Sequence, residues 1–311
     1  MYSKKAIGPI TGCLVVMLCV GIIYLWSVFS GDIIKAFNWN ASSAKMVSSY
    51  MLMGFVIGCL IGGILNDKKG PRFTCTLGII LFSLGIGSTA FLTSGTISLI
   101  YLTYSLMGGL GSGLAYNAAI PCVQKWMPGR RGLASGIAAA AFGLSTLIVT
   151  PISKALMVRF TKISGIVDFK PVFLILSGLF LVIGLIACMF VCTPPVELGL
   201  SNGAKNKVFE KNYSLKEATN TVPFWCLFAT MFFINATWTL TVPLIKDLGQ
   251  MRGLTEAAAI FAVSFTGVPN ALGRLLMATL SDKIGRMNTL LILSAGTLVA
   301  ALLMAVAVGY W

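Results

Sequence analysis

Two short stretches, Gly63-Ile64-Leu65-Asn66-Asp67-Lys68-Lys69-Gly70-Pro71-Arg72 and Ala278-Thr279-Leu280-Ser281-Asp282-Lys283-Ile284-Gly285-Arg286, carry the same Asp-Lys-x-Gly core 215 residues apart. Each follows one long apolar run and precedes another. Outward from them, apolar runs fall near 11–29, 44–65, 74–93, 96–120, 132–156, 171–192, 223–245, 256–281 and 288–310. Runs of about 19 to 26 residues are long enough to cross roughly 30 Å of hydrocarbon at about 1.5 Å per residue. The chain therefore reads as an all-α polytopic membrane protein with about nine spans. One copy of the motif joins spans 2 and 3 and the other joins spans 8 and 9, so the repeat period is six spans. A parallel repeat of this kind predicts two like halves enclosing a site near the membrane midplane.

Composition points the same way. Hydrophobic residues make up 57% of the chain and charged residues 10%, whereas a soluble domain carries about a quarter charged residues. The net charge of +14 does not indicate nucleic acid, because the 23 basic residues are scattered among short loops and form no stripe. With the N-terminus in the cytoplasm, fourteen of them lie inside and eight outside, Arg274 being the remaining one. That asymmetry follows the positive-inside rule. Half of the outer charge is Lys154, Arg159, Lys162 and Lys170, around the loop between spans 5 and 6. This loop either concentrates anions at the outer mouth or is simply solvated. Lys4 and Lys5 ahead of the first run imitate a secretory signal, but the run is too long for one and eight more follow, so it is read as the first span.

There is no histidine, which removes the usual general base and zinc ligand. The eight cysteines fall in or beside apolar runs without C-x-x-C spacing and read as packing thiols. No metal, no cofactor and no enzymatic activity are expected. The polar stretch 193–222, with Pro194, Pro195, Gly199 and Gly203, reads as a cytoplasmic linker between an N-terminal six-helix bundle (1–192) and an incomplete C-terminal bundle (223–311).

Both motif copies resemble the G-x-x-x-D-[RK]-x-G-[RK] loop of the major facilitator superfamily. The resemblance marks Gly63, Asp67, Lys68, Gly70 and Arg72, with Asp282, Lys283, Gly285 and Arg286, as a conformational gate. A short, basic, glycine-turned loop fixes the angle between two helices, and its aspartate can sit against a helix N-terminus or an arginine in one state. A loop serving topology alone would explain the lysines but not the repeated Asp-Lys-x-Gly.

A closer likeness lies in Gly109-Leu110-Gly111-Ser112-Gly113-Leu114-Ala115-Tyr116, leading to Lys125-Trp126-Met127-Pro128-Gly129-Arg130-Arg131-Gly132-Leu133-Ala134-Ser135-Gly136. This segment, with Asn270-Ala271-Leu272-Gly273-Arg274, resembles the oxalate:formate antiporter family, a branch near the monocarboxylate transporters. Close helix packing is the other use of those glycines. The family has twelve helices, so the resemblance implies a C-terminally truncated chain. The three missing helices would include the helix 11 lysine that supplies the family's second substrate cation.

Arg274 is the one charge well inside the hydrocarbon, eight residues before Asp282, or roughly 12 Å of helix. Burial there costs at least about 2.5 to 3.5 kcal/mol, so a partner is expected. All nine acidic residues are assigned to loops or helix ends. An unpaired guanidinium facing a polar cavity is a receptor for a carboxylate, which it grips with two parallel hydrogen bonds. The alternative is an arginine held by backbone carbonyls or lipid phosphate. In the resembled family an arginine at this position binds substrate carboxylate. Its proton-linked carriers have an aspartate one turn earlier, where this chain has Asn270; exchange or facilitated movement is therefore favoured over proton symport. Tyr116 matches a tyrosine of the family's helix 4, and its hydroxyl is suited to donate to the same anion. Tyr24, Trp26, Asn235 and Trp238 are further candidates to cage it, with packing or interfacial anchoring as the competing role. Trp238 departs from the small residue the family has.

The function read from the sequence is secondary transport of small organic carboxylates by a monomer in the plasma membrane, with substrate anion and lipid as its partners. A truncated, inactive or regulatory pseudo-transporter and a proton-coupled symporter are the alternatives.

Overall fold

In the computed structural model the described residues are 4–21, 25–93, 96–163, 165–195, 215–241, 249, 253–255, 258 and 267–309. Their helices are α1 (Ile7–Val20), α2 (Trp26–Phe37), α3 (Ala41–Ser88), α4 (Gly108–Trp126), α5 (Arg131–Arg159), α6 (Phe169–Phe190), α7 (Leu215–Thr219), α8 (Val222–Thr241), α9 (Gly267–Ile284) and α10 (Arg286–Gly309). Among the described residues the one β pairing is an isolated bridge between Thr161 and Val167. The all-α polytopic architecture is as the apolar runs predict.

The boundaries differ where glycine or water, not hydropathy, ends a helix. Spans 2 and 3 form one helical run, α3, interrupted only at Gly70, whose φ of 81° lies in the left-handed region that favours glycine. Pro71 then starts the second arm, where its missing N–H costs nothing. The charged segment expected to be a loop is thus helix extending into water on both sides of one turn. The first span is two helices, α1 and α2, parted at Gly21. A Cβ on Gly21 would land on the Phe142 carbonyl of α5, so the end of α1 lies in close contact with α5. The second piece runs on to Phe37, and Asp32, expected at a helix end, lies inside α2. Span 4 opens as a 3₁₀ turn (Ile97–Tyr101) and a π-helical turn (Leu102–Met107) before α4 begins. Span 8 is described from Gly267 onward, and within the stretch expected to be a linker the described residues include α7.

The solvent of this surface is apolar. Leu60, Ile64, Met189, Phe233 and Leu303 stand exposed, as side chains facing lipid do. The core is shared by α1 to α6 and holds Met17, Phe29, Phe82, Tyr104 and Phe173. Within it α4 packs closely against α3. Cβ atoms on Gly109 and Gly113 would strike the carbonyls of Met51 and Phe55, and one on Gly111 would strike the Phe82 amide in the other arm of α3. The alternating glycines therefore notch α4 into both arms at once. Overpacking such a contact costs about 1–3 kcal/mol or more. Gly113→Val is accordingly expected to lower the melting midpoint in detergent by several degrees, whereas Gly178→Ala, on an open face of α6, leaves it unchanged.

Within this arrangement α9 packs along α5, and α10 packs on α9 and α8. All eight cysteines are free.

Candidate functional site

Alanine and glycine line the face of α5 that meets α9. Gly136 lies under Ala278 and the Arg274 backbone, and Gly143 faces Ala271. Small residues bring the two helices close enough for α9 side chains to reach the α5 backbone. Arg274, half-buried in this seam, donates from Nε to Asn270 Oδ1 at 2.9 Å and from Nη1 to the Ala139 carbonyl at 3.5 Å. Asn270 is one turn earlier on α9, so the amide sets the plane of the guanidinium. Neither partner is charged. Among the described residues the ion pair present is Lys162 with Asp168, which does not involve Arg274. Arg274 Nη2 has no protein partner among the described residues. Among the described residues the Nη2 end of the fork is therefore left to donate elsewhere, and guanidinium N–H groups suit an anionic acceptor such as a carboxylate.

Tyr116, on α4, stands in an aromatic triad with its ring 5.3 Å from Phe55 and 5.0 Å from Phe142, both edge-on. Phe142 is one turn along α5 from Ala139, so the triad and the arginine share that helix. Trp26 is placed otherwise. It is buried, gives its indole N–H to the Ala44 carbonyl at 2.7 Å and packs on Trp39 and Tyr104. Its polar group therefore ties α2 to α3. Asn235 is exposed on α8 and donates to Met231 of its own helix at 2.8 Å. Tyr24 and the side chain of Trp238 lie outside the described residues.

The two motif copies make different contacts. Asp282 accepts from the Gly132 and Leu133 amides, one per carboxylate oxygen, both at 2.9 Å. These are first-turn N–H groups of α5, which have no partner within the helix and lie at the positive end of its dipole. A Cβ on Gly132 would collide with the Ala278 carbonyl and the carboxylate itself, so the docking needs glycine there. Gly285, with φ of 87°, ends α9 directly behind it, and Lys283 and Arg286 are exposed. In the first copy, Arg72 donates to the Val191 carbonyl at 3.0 Å and to that of Met189, so it closes the C-terminal end of α6. Asp67 and Lys68 are exposed, Asp67 without a hydrogen-bond partner among the described residues, and Gly63 packs against Asn117 of α4.

A helix N-terminus is one of the two seats expected for the motif aspartate, and α5 supplies it to Asp282; the Ala139 carbonyl has no such forewarning, because a backbone atom leaves no residue-type signal. The run Gly132-Leu133-Ala134-Ser135-Gly136 was the available hint, since two glycines on one face leave backbone accessible.

Comparison with known proteins gives a consistent result. The family described as Major Facilitator Superfamily matches residues 11–311. The uncharacterized MFS-type transporter YhjX of Escherichia coli (strain K12) is 28% identical over 98% of this chain and 73% of its own length. The oxalate:formate antiporter of Oxalobacter formigenes is 27% identical over 89% of this chain, and monocarboxylate transporter 13 of Bos taurus 24% identical over 86%. The chain spans less than two thirds of these last two, 63% and 59%. In fold it is similar to the proton:xylose symporter XylE, with a TM-score of 0.64 at 17% identity, over 92% of this chain and 71% of that one.

Proposed function

The chain belongs to the major facilitator superfamily, and from that premise we propose that it moves small carboxylate anions across the plasma membrane by alternating access, with Arg274 as the carboxylate receptor. The observation that carries this reading is a half-buried guanidinium whose partners among the described residues are one amide and one backbone carbonyl. In a site of low dielectric such a group selects an anion, and its planar fork favours a flat, two-oxygen one. Relatives named for oxalate, formate and monocarboxylates support the same substrate class. Asn270 orients the arginine, Tyr116 borders the anion, and the Asp67 and Asp282 turns act as the gate on the cytoplasmic side. Residues 1–192 and 223–311 form the moving halves, joined by 193–222.

Counterflow tests the proposal. Liposomes containing the protein from the full reading frame, preloaded with unlabelled oxalate, formate or lactate, are expected to accumulate the labelled anion transiently. Folded protein that gives no counterflow with any of the three would refute it.

Exchange is favoured over proton coupling by Asn270, whose amide holds no transferable proton near neutral pH. Asn270→Asp is expected to add pH dependence. Once ionised, the new carboxylate pairs with Arg274 and competes with substrate; protonation releases the arginine. Uptake by the variant should fall as pH rises, and an inward proton gradient should drive it, while wild-type uptake stays flat between about pH 6 and 8, a range in which histidine is the side chain that ordinarily titrates.

A further inference from the structure

A second polar cluster lies at the opposite end of the molecule from the Asp67 and Asp282 turns. The arms of α3 start and finish there, beside the end of α2 and the start of α6. Between them is a cleft of about 400 Å³. Its walls include Phe37, Phe91, Phe169 and Phe173, and its polar groups include Lys162, Asp168 and Lys170. No residue of α4, α5 or α9 lines it, so it is separate from the seam that holds Arg274.

We propose that this cleft seats an anionic phospholipid of the adjoining leaflet, phosphate toward the lysines and acyl chain along the phenylalanine wall. Three observations support a lipid. First, the cleft is at an interfacial level: Trp39 on its wall continues into an aromatic cluster with Tyr101 at 5.8 Å and, beyond it, Tyr50 at 5.1 Å. Tryptophan and tyrosine gather where headgroups meet hydrocarbon. Second, the local charge is positive. Asp168 is already engaged, capping α6 through the Lys170 amide at 3.2 Å and facing Lys162 at 3.7 Å, which leaves Lys170 exposed with its ammonium 5.7 Å from the Phe91 ring. Third, the wall opens to lipid, since Phe91 is 66% exposed. A small free carboxylate would leave most of that volume unfilled. An acyl chain passes from one apolar surrounding to another, so selection falls on the headgroup charge.

Native mass spectrometry of the full-length protein, purified with mixed phosphatidylglycerol and phosphatidylcholine, tests this. Retention of phosphatidylglycerol is expected to exceed that of phosphatidylcholine by roughly five- to thirtyfold, the effect of one to two lysines at a membrane surface. Lys162→Gln with Lys170→Gln should bring the ratio near unity. Ala36→Phe, which fills the cleft from α2 and keeps both lysines, should reduce retention of both lipids. Equal retention of the two lipids by the wild type, an unchanged ratio in the double variant, or full displacement of phosphatidylglycerol by glycerol 3-phosphate would overturn the proposal, the last by showing a free-anion site.

Discussion

Arg274→Ala is expected to reduce carboxylate counterflow by at least about 100-fold, a loss of roughly 2.7 kcal/mol, while the protein still folds. The size follows from the chemistry of the pair. Removing one partner of a buried, hydrogen-bonded charge pair costs about 2–5 kcal/mol, much of it because the remaining charge, here the substrate carboxylate, is left without a counter-ion. The fold loses little by comparison. Asn270 Oδ1 and the Ala139 carbonyl each lose a donor, but a charge that is expensive to hold in the membrane is lost with them. Arg274→Lys separates charge from geometry. A lysine keeps the positive charge as a point but not the fork, so it should restore part of the transport and shift preference away from two-oxygen substrates. Uptake unchanged in Arg274→Ala, with melting also unchanged, would remove Arg274 from the substrate path and the anion-receptor reading with it.

The ease with which each part of this site was read tracks the kind of group that builds it. Arg274 and Asn270 are one helical turn apart, so their contact was within reach of spacing alone, and the expectation of neutral partners came from an inventory of nine acidic residues; among the described residues the partners are neutral. The Ala139 carbonyl was not within reach, because it depends on α5 and α9 closing over Gly136 and Ala278. Trp26 is a residue for which the sequence leaves caging and packing both open. Its aromatic, polar character suits a ligand cage, but whether the N–H is free depends on α3 passing beside it, and Ala44 takes it. Hydropathy located the spans but placed helix ends too early around Asp67, since it reports where the membrane stops and not where the backbone turns. Gly70 alone makes that turn. The break at Gly21 falls inside an apolar run, where hydropathy does not register it, and the glycine there lies against a carbonyl of α5.

Loss of the Asp282 cap should loosen one end of the molecule. In the conformation described, α9 is pinned to α5 by a carboxylate spanning two adjacent amides. An N-cap contact of this kind contributes about 0.5–2 kcal/mol and the dipole about 0.3–1 kcal/mol, with the lower part of each range fitting an exposed group. Asp282→Asn keeps the shape, gives up the charge and replaces one acceptor oxygen with a donor. A destabilisation of about 1–2 kcal/mol corresponds to a roughly 5- to 30-fold shift toward the open state. Hydrogen exchange at the Gly132 and Leu133 amides reads that shift directly, because these amides exchange when the cap opens. Gly132→Ala offers an independent route, since its methyl group collides with the Ala278 carbonyl and the carboxylate while every charge stays in place. It should match or exceed Asp282→Asn, and Lys283→Gln, at an exposed neighbour, should leave exchange near wild type. High salt should narrow the gap between wild type and Asp282→Asn, because an exposed cap is screened. Should both Asp282→Asn and Gly132→Ala leave exchange and counterflow as they are, the cap is ornamental to the transport cycle and the second Asp-Lys-x-Gly turn is no gate.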